Sequence, residues 1–435
     1  MRTRSAVRAA GIAVAVAALT TGCLSSGGGG GGSKNTSSSI EIMYGFTGNQ
    51  SDDFQAVIKD WASKNGVTLK LSPSSDFNSL INTRVQANQL PDIAIFPQPG
   101  IMRTIAATGK LSDLSKTLNM SDLQSAYLPG ALKAGQDDKG TQYAVLMSAN
   151  VKSIVYYPKQ AAQKAGLTQP PASYAQLQQL TNAIAGTGTT PWCFGIENGS
   201  ATGWPATDWV ETLMLDDYGS SVYNQWVQHK IPFNDPKVLA VLQQIQTLVL
   251  DHVNGGQKSV ASNNFGTAGN PMFDNPPGCY MYRQGNFLTQ KGFFPDNVVA
   301  NLDSMVGVFP MPGTDPSAKP VEGGGDLAGL FSANNDAAKK TMEYLVSKDF
   351  QNAMAKKSWY LAPRKDVDLA NYPSDMSRNF ATIQNQSTDW VFDGSDQMPG
   401  AVGSGSFWKE MTSWIAGQED AKTALDNIEK SWPTS

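Results

Sequence analysis

Histidine and cysteine are nearly missing from this chain, with two and three in 435 residues. His229 and His252 stand in no cluster with cysteines or carboxylates. The usual ligand sets for zinc and the imidazole of a nucleophilic triad therefore lack their parts, and neither a metal nor a cofactor is expected. Charge is sparse as well: 16% of residues are charged and the formal net charge is −4. With no basic surplus there is nothing to neutralise a phosphate backbone, which excludes a nucleic-acid partner. Long hydrophobic runs are absent. Ala9 to Leu19 is apolar, but it falls short of the ~20 residues that cross a bilayer. The glycine-rich run after Cys23 is no phosphate loop, because no strand precedes it and no helix follows.

What the chain does have is glycine and proline, 41 and 24 of them, and a length suited to two domains. Its start reads as a targeting segment over 1–22, with Arg2, Arg4 and Arg8 ahead of the short apolar run. Thr20-Thr21-Gly22-Cys23 resembles a bacterial lipobox, with Thr20 where Leu is usual, so Cys23 is expected to carry lipid. Residues 23–39 form a Gly/Ser tether that would hold a folded body on the order of 20–25 Å off a membrane. An exported chain permits a disulfide, and Cys193 and Cys279 are expected to form it.

From residue 40 onward, strand and helix signals alternate. Ile40–Tyr44 and Val67–Leu71 alternate as strands, and Asp92–Phe96 reads as a short buried one. Between them lie a helix capped near Ser51–Asp53 and ended by Gly66, and a helix over 77–88 with Leu80, Ile81 and Val85 on one face. This order predicts an α/β fold with mainly parallel sheets. Ligands to such sheets sit at the C-terminal strand ends, which makes Asp76 and Gln98 candidate contacts. Tyr143 to Tyr157 reads as one long extended segment able to cross between lobes, with Asn150 facing the cleft. Met305–Phe309 is another strand. Glu322-Gly-Gly-Gly-Asp326 lets backbone come close to a ligand at Gly324 and Gly325.

The stretch from Trp192 to Trp209 carries the strongest chemical signal. It gathers Trp192, Trp204 and Trp209 with Glu197, Asn198 and Asp208. Flat apolar faces beside carboxylates and amides suit a sugar, which offers C–H patches for stacking and hydroxyls at its rim. No nucleophile–base pair accompanies them, so the cluster reads as a binding surface. Taken singly, each tryptophan could equally be a core anchor. Thr207 is placed to cap a helix Asp208–Tyr218 ended by Gly219. Tyr280, Tyr282 and Arg283 suggest a second ligand edge.

Several stretches together resemble the sugar-binding subunits of bacterial ABC importers, and within them the α-glucoside-binding branch. They include Leu90-Pro-Asp-Ile-Ala-Ile-Phe-Pro-Gln-Pro-Gly100, Ala149-Asn-Val-Lys-Ser-Ile154, Thr202-Gly-Trp-Pro-Ala-Thr-Asp-Trp209, Pro276-Pro-Gly-Cys279, Gly323-Gly-Gly-Asp326 and Phe407-Trp408. The resemblance implies two α/β lobes joined by a hinge, 40–149 plus 304–345 and 150–303 plus 346–435. It implies a sugar held between them by Trp204, Trp408, Asp326 and Arg364 together with the candidates above. Asn150 stands where relatives carry an acid. A monomer is implied, tethered outside the cell and delivering its ligand to an ABC permease. It would not be an enzyme. A secreted glycoside hydrolase using Asp208 with Glu197 or Glu211 is the competing reading, as is a binder of peptide or polyamine.

Overall fold

The computed structural model describes residues 38–433. The targeting segment, Cys23 and nearly all of the tether lie outside the described residues. Those described contain nine strands: β1 (Ser39–Tyr44), β2 (Thr68–Pro73), β3 (Ile93–Phe96), β4 (Ala144–Val151), β5 (Ile154–Pro158), β6 (Tyr282–Gln284), β7 (Val306–Pro310), β8 (Pro320–Leu330) and β9 (Asp389–Phe392). They form two sheets. The first runs β2-β1-β3-β8-β4 with β9 beside β8, and the second runs β6-β5-β7.

The first sheet opens with the expected βαβ pattern. Helices α1 (Gly48–Asn65), α2 (Phe77–Gln86) and α3 (Pro99–Ala107) connect or follow its first three strands. Phe54, Ile58 and Ala62 recur every four residues on α1, so they share the buried face. Gly66 ends α1 in the left-handed conformation, φ 66°. Ser51–Asp53 do not cap it, because the helix already begins at Gly48. Leu80 is not on the buried face of α2; Phe77, Ile81 and Val85 are, and Leu80 is 41% exposed.

The first sheet is mainly parallel, as expected: β1 pairs in parallel with β2 and β3, and β8 with β9, while β8 runs antiparallel to β3 and β4. The second sheet departs from the expectation and is antiparallel throughout. The extended segment Tyr143–Tyr157 is two strands: β4 belongs to the first sheet and β5 to the second. They part at Lys152-Ser153, where the Lys152 N–H still donates to the Glu322 carbonyl but its side chain enters a buried ion network. The start of β8 and the end of β9 lie alongside, Glu322 paired with Val391 and Gly323 with Phe392. Three neighbouring chain segments thus make the passage between sheets.

Two placements differ from the division implied by resemblance. β7 pairs with β5, so 306–310 joins the second sheet. Conversely, Leu361 accepts from the Ala149 N–H and Arg364 binds Asp122, so this part of the chain packs against the first sheet's side. On the other side, the helix Trp204–Val227 packs on Pro236–Leu248. Cys193 and Cys279 form a disulfide there, Cα atoms 5.5 Å apart. No helix of the described residues is long and apolar enough to cross a membrane.

Candidate functional site

The three passage segments floor a cavity of about 550 Å³, lined from both sheets' sides. Asn150 and Lys152 enter it from the β4–β5 junction, Gly324, Gly325 and Asp326 from β8, and Asp393, Ser395 and Asp396 from the turn after β9. The glycines lie in the middle of β8. Gly325 holds φ 138°, and a Cβ there would lie 2.0 Å from the Ser148 carbonyl. The next residue, Asp326, pairs with Ser148 beside a register shift in β4 between Leu146 and Ser148, and the Ser148 hydroxyl donates to Asp326 Oδ2 at 2.6 Å.

One wall is aromatic. Trp204 meets Phe265 and Phe287 edge-on at 5.0 and 5.9 Å between centroids, and Phe293 continues the surface. Trp408 completes it, with its indole N–H buried and unpartnered. The opposite wall is polar, with Gln50 from α1 and Gln98 from the β3–α3 turn. Lys152 Nζ lies 5.2 Å from the Trp204 ring centre, so the wall also shields a cation.

Beneath the floor lies a buried charge network. Lys152 binds Asp208 at 3.2 Å and also Asp393. Arg283 reaches Glu322 at 2.8 Å and Asp208 at 3.4 Å. Glu211 accepts from the Gly394 and Ser395 N–H groups and from Tyr223. Asp208, Glu322 and Asp393 bring carboxylate oxygens within 4.8 Å of one another, and the positive charge among them comes from Lys152 and Arg283. Burial and neighbouring carboxylates push Glu211 and Glu322 well up, and burial raises Asp208 to about 6. Asp396 is pushed up to about 8 by burial and the charge on Asp393. Burial lifts Asp326 to about 6. Asp393 alone stays low: burial would raise it, but Lys152 and the Asp396 N–H hold it ionised.

The cavity gathers Gln98, Asn150, Trp204, Gly324, Gly325, Asp326 and Trp408 from the sequence candidates. The others lie elsewhere. Asp76 is exposed at the start of α2. Glu197 turns to Asn264 and the Gly199 N–H, while its neighbour Asn198 lines the cavity. Asp208 is in the network, not at its surface. The helix starts at Trp204, so Asp208 sits in its second turn, and Gly219 interrupts rather than ends the helix, with φ 74°. Tyr280, Tyr282 and Arg283 are buried; β6 turns the Tyr282 hydroxyl to the Phe265 carbonyl and Arg283 to Glu322. Arg364 is held by Asp122 and Asp366, a structural pairing away from the cleft. Trp192 and Trp209 pack edge-to-face at 5.5 Å in the core. Lys152, Phe265, Phe287, Gln290, Asp393 and Asp396 were missed. Asp393-Gly-Ser-Asp396 follows directly after a strand, so the rule of ligands at strand C-terminal ends could have found it.

A family model described as bacterial extracellular solute-binding protein matches residues 56–382. The chain belongs to this family. It is 35% identical over 397 residues to the osmoprotective compounds-binding protein GgtB of Synechocystis sp., covering 91% of this chain and 92% of the relative. It is 32% identical over 404 residues to the alpha-glucosides-binding periplasmic protein AglE of Rhizobium meliloti, covering 91% and 87%. Among solved structures, the bacterial solute receptor AcbH, described as preferring β-D-galactopyranose, aligns with a TM-score of 0.75 at 17% identity, over 90% of this chain and 98% of that one. At that identity the likeness concerns the fold, and it agrees with the two-lobe α/β architecture. The family and both relatives are binding proteins, so the cleft of this solute-binding protein is read as a capture site.

Proposed function

We propose that this protein is the substrate-binding subunit of a sugar ABC importer and that its ligand is an α-glucoside of a few rings. The observation that carries the reading is the cavity itself: an aromatic wall of Trp204, Phe265 and Trp408 faces a floor of Asn150 and Asp326. Such a site stacks on the C–H faces of a pyranose and hydrogen-bonds its hydroxyls. The α-glucoside class is supported by the relative whose name carries it. Because the lining comes from both lobes, contacts with sugar are complete only when the cleft is shut, so ligand selects the closed state. Lobes of roughly 40–149 and 150–303, each joined by later segments, would move about the passage strands. A lipidated Cys23 would hold the body near its permease.

A thermal-shift screen of the mature protein against glucose, maltose, trehalose, sucrose, maltotriose and a β-linked disaccharide tests this. A sugar at a hundred times its dissociation constant should add about 2.7 kcal/mol of stability. A response confined to α-glucosides supports the class. A response to none of them overturns the α-glucoside reading and moves weight to another osmoprotective compound, the ligand class that the name of the 35% identical relative carries.

A further inference from the structure

The main cavity has a smaller one at either end. One, about 210 Å³, is lined by Asp52, Asp53 and Trp359 and shares Asn49, Gln290 and Lys291 with the main cavity. The other, about 220 Å³, is lined by Asn78, Asn82 and Met398 and shares Gln98, Ser395 and Asp396. Residues common to two cavities are the ones standing between them. At each boundary, a side-chain hydrogen bond spans the cleft. Gln50 Nε2 of α1 donates to Gln290 Oε1 at 3.3 Å, and Gln98 Nε2 donates to Asp396 Oδ1 at 2.8 Å. Each bridge also leaves a buried polar atom unpartnered. The Gln290 amide nitrogen has no partner, and neither does Oδ1 of Asn78, whose Nδ2 donates to Gln98 Oε1. An unpaired buried polar group is costly unless something else satisfies it.

We propose that these two bridges are end-stops: Gln290 and Gln98 set the length of sugar the cleft accepts, and the outer cavities are ring-sized spaces that they deny to it. The inference rests on the sugar reading of the main cavity. Each outer cavity has less than half the volume of the central one. Opening a stop therefore admits one further ring rather than a long chain. The unpartnered Gln290 nitrogen meets the terminal ring of a ligand that ends at the stop, and Asn78 Oδ1 meets a ring that passes the other.

The test is calorimetric titration of the wild type, Gln290→Ala, Gln98→Ala and Trp204→Ala with maltose, maltotriose, maltotetraose and maltopentaose. The readout is the ratio of dissociation constants between the longest sugar bound well and the next longer one. The ratio cancels any loss of cleft closure that both sugars share. The wild type should show a sharp drop, and Gln290→Ala or Gln98→Ala should shrink the ratio by about tenfold or more, the scale of one relieved contact. Gln290→Asn, one methylene shorter with its amide intact, should move the ratio the same way and covers the case in which an alanine variant folds poorly. A ratio unchanged in every variant that still binds the short sugar overturns the end-stops, as does a wild type that takes all lengths alike. Binding of no sugar by the wild type, or full affinity in Trp204→Ala, instead fails the sugar reading, and the end-stops fall with it.

Discussion

Trp204 and Trp209 lie five positions apart on one helix and serve different surfaces. Trp204 lines the cleft, whereas Trp209 is 1% exposed and wedged between Trp192 and Arg283. Trp204→Ala should weaken sugar affinity while the melting temperature stays close to that of the wild type. Trp209→Ala should cost about 3–5 kcal/mol of stability by opening a core cavity. Paired denaturation and titration curves check both; equal effects on affinity would erase the distinction. Lys152 couples the two surfaces. It is the cation that keeps Asp393 ionised, and its own charge is maintained by Asp208 and Asp393 against burial. Lys152→Met strands those carboxylates in a buried site and should cost about 3–5 kcal/mol, measured by urea unfolding.

At the scale of elements, the cleft depends on backbones that come closer than side chains allow. Gly203 precedes the helix Trp204–Val227 with φ 112°, and a Cβ there would lie 2.4 Å from the Trp408 carbonyl. Glycine therefore brings Trp204 and Trp408 together on one wall. Gly203→Ala must push them apart, at a cost of more than about 1 kcal/mol where φ is positive. It should also lower sugar affinity, although residue 203 is absent from the cavity lining. Titration of the variant decides; wild-type affinity would show that the spacing of the tryptophans is not critical.

For the molecule as a whole, the buried carboxylates set the response to pH. Asp208 and Asp326, near 6, and Asp396, near 8, titrate above the ordinary carboxylate value of about 4. The folded state therefore holds more protons than the unfolded chain between those limits. Stability from these groups is fully present below about pH 4 and is lost as pH rises from there through 6 to 8. Asp393, held low, acts oppositely: its contribution disappears as pH falls through its folded value. Urea midpoints should fall from pH 5 to pH 8, and Asp396→Asn should lessen the fall between 6 and 8, leaving the part that Glu211 and Glu322 contribute. A stability that rises with pH over this interval would contradict the burial of neutral acids.

Local chemistry was enough to read some of this from the chain. Period-two and period-3.6 patterns place β1, α1, β2 and β3, since each depends on neighbours within a few residues. Gly66 ends α1 through its own left-handed backbone, and the aromatic stretch does contain Trp204. Pairing partners are another matter. β8 runs antiparallel between β3 and β4, and β5 leaves β4 for another sheet, because contacts far apart in sequence decide direction. The same holds for the site. Which of three tryptophans faces the cleft follows from where Cys193–Cys279, Arg283 and the Trp204 helix pack. Lys152, Asp393 and Asp396 become a cleft floor only when the strands ending at 151 and 392 both pair with β8. A charge in the chain is only a charge; burial beside its partners, which folding alone brings about, turns these into a network with shifted titration and a cavity above it.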